Sequence, residues 1–156
     1  MYAGDNIDFL YILHRHGWST ALLFIDGQTI SFWITHLFSD PTDDLAQLAI
    51  KLHKRVETAE LVWSDEPGGH SLCFTRVPDQ HHRYDVRVSY FPEGPPLTAS
   101  RTGDVLIEFQ VKADQFVTLI YSQLEKLARL LEDRSYSESR EFPFPTFKRL
   151  RAELTR

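Results

Sequence analysis

Two β-rich runs joined by Asp26-Gly27 constrain this chain more than any other stretch. Trp18 to Ile25 and Gln28 to Thr35 are matched in length, and only two residues separate them. A two-residue turn of this kind needs positive φ at both positions, and Asp-Gly meets that need. In the resulting register Ile25 faces Gln28, Leu23 faces Ile30 and Ala21 faces Phe32. Alternation leaves Leu22, Phe24 and Trp33 on the opposite side. A hairpin apolar on both faces is expected to be covered twice, or to leave one face for a partner.

The remaining pattern predicts one α+β domain over residues 1–156. A strand over 7–13 precedes the hairpin. Asp40-Pro41-Thr42-Asp43 has the cap, first-turn proline and early acids of a helix start, and Leu45, Leu48, Ala49 and Leu52 supply an apolar stripe over 41–55. Strands follow at 58–64, 71–77, 83–91 and 104–112. Pro67-Gly68 fits the centre of a type II turn, Pro78 to His82 turns the next pair, and Pro92 to Gly103 reads as a loop. Asp114 is expected to cap a helix over 115–133 with Phe116, Ile120, Leu124, Leu127 and Leu131 on one face. After a polar stretch, Phe142-Pro143-Phe144-Pro145 is expected to run extended into a short last helix carrying Phe147, Leu150 and Leu154. The expected fold is mostly antiparallel: about seven strands in one curved sheet or two packed sheets, two main helices and a short C-terminal helix.

Charge and composition narrow the function. Net charge is −5, and residues 1–66 hold ten acids against four bases, while the basic excess lies after Arg140. A nucleic-acid binder would carry a dominant basic stripe, so no nucleic-acid partner is expected. Cys73 is alone, which rules out an intrachain disulfide and a cysteine-rich zinc site. No apolar run approaches the roughly 20 residues of a membrane span, and residues 1–8 lack the basic n-region of a secretory leader. No membrane association is expected, and the expected compartment is the cytoplasm.

Trp63-Ser64-Asp65-Glu66-Pro67-Gly68 resembles the W-x-x-E-P-G signature of a group of small bacterial proteins. The likeness continues through the alternating run Asp85 to Phe91, the helix Phe116 to Leu131 and the late Phe142-Pro143. It implies a fold and a compartment, and brings no activity with it. The two prolines at 143 and 145 depart from the group's simpler ending.

No phosphate-binding loop, dinucleotide fingerprint, nucleophile elbow or zinc-protease helix occurs in the chain, and no cofactor is expected. His14 and His16 have a chelating H-x-H spacing but no third ligand at fixed distance, so they read as a solvated turn and no metal is expected. His81 and His82 would point to opposite faces of a strand. Cys73, between Leu72 and Phe74, reads as a small buried hydrophobe. Trp63, Asp65, Glu66 and His70 are the one place where acid, imidazole, indole and a Gly-rich turn converge, and they form the candidate binding site. No residue is assigned a catalytic role.

The function expected is non-enzymatic: a bacterial binding or inhibitor-type, immunity-like protein acting on a protein partner, which the acidic front makes a basic one. A homodimer is compatible with it. The alternative is a small-molecule-binding or weakly enzymatic domain, its pocket between helix and sheet lined by Trp18, Trp33 or Trp63.

Overall fold

The computed structural model of the chain describes residues 2–3, 5–37, 39–92, 103–137 and 140–156. The hairpin holds the expected register. Strands β1 (Tyr2–Ala3), β2 (Ile7–Leu13), β3 (Ser19–Ile25) and β4 (Gln28–Ile34) open the chain. Ala21 lies opposite Phe32, Leu23 opposite Ile30 and Ile25 opposite Gln28. Asp26 and Gly27 both adopt positive φ, 48° and 85°, a region open to glycine and tolerated by Asp.

β2 pairs antiparallel with β3, making a three-stranded sheet in the order β2-β3-β4. Strands β5 (Thr58–Ser64), β6 (Gly69–Val77), β7 (Gln80–Phe91) and β8 (Asp104–Lys112) form a second antiparallel ladder. β1 joins its outer side in parallel, with Tyr2 opposite Phe109. The seven expected strands therefore divide between two sheets and do not form one curved sheet. The eighth, β1, has two residues and is too short to show a period. The sheets approach where the Thr35 amide donates to the Ser64 carbonyl at 2.8 Å.

Helices are α1 (Pro41–His53), α2 (Ala113–Leu130), α3 (Arg134–Ser137) and α4 (Phe144–Leu154). α1 starts as expected, the Asp43 amide donating to the Asp40 carboxylate at 3.1 Å. α2 starts two residues earlier than expected: Lys112 stands at its N-cap with no side-chain bond. Asp114 sits inside the first turn and pairs with Arg55 at 2.7 Å instead of capping. α4 takes in Phe144 and Pro145, because a helix accepts proline in its first turn, so the extended piece ends at Pro143. The expected loop at 92–103 lies outside the described residues except for its two ends.

One core joins these parts. Phe9, Tyr11, Leu23 and Phe32 face inward from the first sheet, and Leu61, Trp63, Phe74 and Phe109 from the second. α1 contributes Leu45 and Leu48, α2 contributes Phe116, Ile120 and Leu124, and α4 closes with Phe147 and Leu150. α2 also finishes the open edge of β2. The Tyr11 amide donates to Gln123 Oε1 at 3.1 Å, and Lys126 Nζ donates to the Tyr11 carbonyl at 2.6 Å. An exposed strand edge invites pairing with another chain, and these side chains block it there.

Candidate functional site

The hairpin of β5 and β6 brings Trp63, Asp65, Glu66 and His70 together, but burial divides them. Trp63 is 1% exposed, stacked on Phe9 and met edge-on by Tyr11 and by Phe32, whose centroid is 5.4 Å away. The indole is a core side chain and not a contact available to a partner. His70 lies opposite Trp63 and is also buried, between Phe32 and Tyr90. Asp65 is half-buried and Glu66 alone is exposed. The turn is not the expected type II: positive φ falls on Glu66, at 49°, and not on Gly68. The alternation of β5 decides this division, since Leu61 and Trp63 share the inward face.

Burial pushes the His70 pKa below its ordinary value, with the Asp65 charge opposing in part. The unfolded chain therefore takes up the proton first as pH falls. Stability contributed by neutral His70 is present above about pH 6.5 and is lost as pH falls through the depressed folded value. Urea unfolding at pH 7 and pH 5 is expected to show this loss, and His70→Phe is expected to reduce it. An unaltered pH dependence in the variant would remove His70 as the cause. Asp44 works in the opposite sense, because burial raises its pKa.

An unburied aromatic group stands elsewhere, on the outer face of the first sheet. Trp33 is 45% exposed. Its ring stacks on Trp18, with centroids 5.2 Å apart, and meets His14 at a tilt, with centroids 5.1 Å apart. His14 is held there by a 2.7 Å bond between Nε2 and the Thr20 hydroxyl. The strand register continues this face through Leu10, Leu22 and Phe24, each half-buried. Of the two expected outcomes for the hairpin, the structure thus leaves one face uncovered among the described residues.

The third feature is a cavity of about 580 Å³ on the inner side of the same sheet, at the start of α1 and the end of α2. None of the three tryptophans lines it. Tyr11 and Ser19 reach it from β2 and β3, Asp40 and Pro41 from α1, and Arg140 from the segment after α3. His36 covers Gly17 at its rim; a Cβ on Gly17 would lie 2.3 Å from the imidazole. Arg140 is the clamp of this region. Its guanidinium donates to the carbonyls of Trp18 at 2.7 Å, His14, and Tyr136 at 3.1 Å. Tyr11 had a readable signal: a tyrosine among apolar inward residues must find a place for its hydroxyl. Arg140 had none, since only the tertiary fold carries it to β2.

The remaining sequence candidates stay apart. His14 precedes a short 3-10 turn and His16 lies within it at φ 59°, and His81 and His82 are exposed at the start of β7. Cys73 is not buried as expected; alternation places it on the outer face of the second sheet between Glu60 and Arg87. Partial burial, with Glu60 adding to it, raises its thiol pKa, so the thiolate needed for nucleophilic attack is disfavoured. Among the described residues no three His, Cys, Asp or Glu side chains are grouped to hold a metal ion. None of their helices is long and apolar enough to cross a membrane. Compared with protein-family models, curated proteins and solved structures, the chain matches none.

Proposed function

We propose that this chain is a non-enzymatic binding protein whose partner, another protein, docks on the outer face of the three-stranded sheet. The exposed, stacked Trp33 carries the reading. Contiguous aromatic surface costs stability in water, and protein interfaces concentrate it at their anchors. Trp18 and His14 hold the ring in one position, so binding orders little that is not already ordered. Leu22 and Phe24 extend the apolar area, and Glu66 on the neighbouring hairpin remains a candidate rim contact for a basic partner. By analogy of size and acidity, an inhibitor-type, immunity-like role in a bacterial cytoplasm is the form we favour. The cavity supports a second, small-molecule role.

A photo-crosslinking amino acid placed at Trp33 tests the docking face, with the same group at Glu108 on the other sheet as control. The expected result in native cell extract is one discrete crosslinked protein from position 33, absent from position 108 and diminished by Trp18→Ser. Equal products from both positions, or none from 33, would sink the reading. A product of twice the chain's mass would make the partner a second copy.

A further inference from the structure

We propose that the cavity beside Tyr11 and Arg140 is a binding site for a small organic molecule bearing a carboxylate, received by the Tyr11 hydroxyl and Arg140 Nε. This rests on the cavity alone and is independent of the docking face. Its volume, about 580 Å³, is within the range of small-molecule sites.

Two buried donors in it are unspent. Tyr11 is 0% exposed; its hydroxyl makes no hydrogen bond of ordinary geometry and has the Ser19 hydroxyl as a weaker hydrogen-bonding neighbour. The Ser19 hydroxyl and the charges of Arg140, Asp40 and Asp44 all act on that hydroxyl, and Ser19, Arg140 and Asp40 line the cavity with Tyr11. Arg140 Nε is likewise buried without a partner. A buried polar group left unpaired is costly, and the cost is recovered when a ligand atom pairs with it.

The chemistry of the ligand follows from what Arg140 already does. Its terminal nitrogens are committed to main-chain carbonyls, which satisfy hydrogen bonds without neutralising charge. No carboxylate lies within ion-pair distance of it among the described residues. A partly buried cation without a counter-charge favours an anion. Three of the five guanidinium N–H groups are taken by those carbonyls, including both on one terminal nitrogen, which weakens the two-pronged grip used for phosphate and leaves the buried Nε–H to pair with a single oxygen. Asp40 and Glu141 also line the cavity and disfavour a dianion more than a monoanion. Leu13, Pro41 and Leu131 add apolar wall for an organic body. A monocarboxylate fits these terms.

The test titrates the isotopically labelled full chain with phenylacetate and with phenylacetamide, followed by the amide signals of Gly17 and Ser19. Phenylacetate is expected to shift both signals and to bind at least about ten-fold more tightly than the amide. Tyr11→Phe is expected to weaken phenylacetate binding about ten-fold, to leave the amide's unchanged, and to keep or raise the melting temperature. If Tyr11→Phe does not fold, the ratio of acid to amide affinity in the parent chain decides the proposal by itself. Equal affinity for acid and amide, or unchanged acid binding in the folded variant, overturns the proposal. So does a series of acetate, hexanoate and phenylacetate that leaves both signals unmoved. Arg140→Gln is not used, because losing the clamp would loosen the 14–18 turn.

Discussion

Replacing Trp63 by alanine should destabilise the protein by about 3–5 kcal/mol, measured as a fall in the denaturation midpoint with an unchanged slope. The ring is 1% exposed and touches Phe9 and Tyr11 of β2 and Phe32 of β4. It therefore joins the two sheets, and no neighbour can collapse into its space without separating from its own strand. Trp63→Phe should be much milder, about 1–2 kcal/mol, since it keeps most of the apolar contact. It also removes an indole N–H that is buried without a partner, so no hydrogen bond is lost. A cost below about 1 kcal/mol for Trp63→Ala would mean the ring is not in the core.

Gly68→Ala should cost about 2–3 kcal/mol, near the upper range for overpacking. A Cβ there would lie 1.9 Å from the Phe91 carbonyl oxygen, and backbone on both sides must move to admit it. The close approach occurs where β6 begins its pairing with the end of β7, so the displacement would loosen Gly69 against Phe91. Gly27 needs glycine for the opposite reason: its φ is 85°, while a Cβ there would meet nothing within 4 Å. Thermal unfolding of Gly68→Ala that matches the parent chain would refute the close packing of this turn.

Legibility followed the range of the interactions involved. Asp26-Gly27, the alternation around it and the Asp40 cap act over a few residues, and the hairpin register and the presence of the cap were readable. The same alternation could not say which strand face would find a cover. Trp63 and Trp33 are both strand tryptophans; one lies in the core and the other faces outward, because the facing layer is supplied from elsewhere in the chain. Cys73 was misplaced for a related reason, its apolar neighbours Leu72 and Phe74 marking the opposite face.

The sequence by itself determined the hairpin register, the helix stripes and the α+β class, because these depend on φ preferences and on periods of 2 and 3.6 residues. Tertiary structure decided the split into two sheets, the burial of Trp63 and His70, and the meeting of Tyr11 with Arg140. That last contact spans more than a hundred positions of chain, as the bond from Arg140 to the Trp18 carbonyl shows with a separation of 122. No local preference of either residue encodes such a meeting. It exists because α2 packs across β2 and the chain after α3 returns along it, which brings a guanidinium to the end of an apolar sheet.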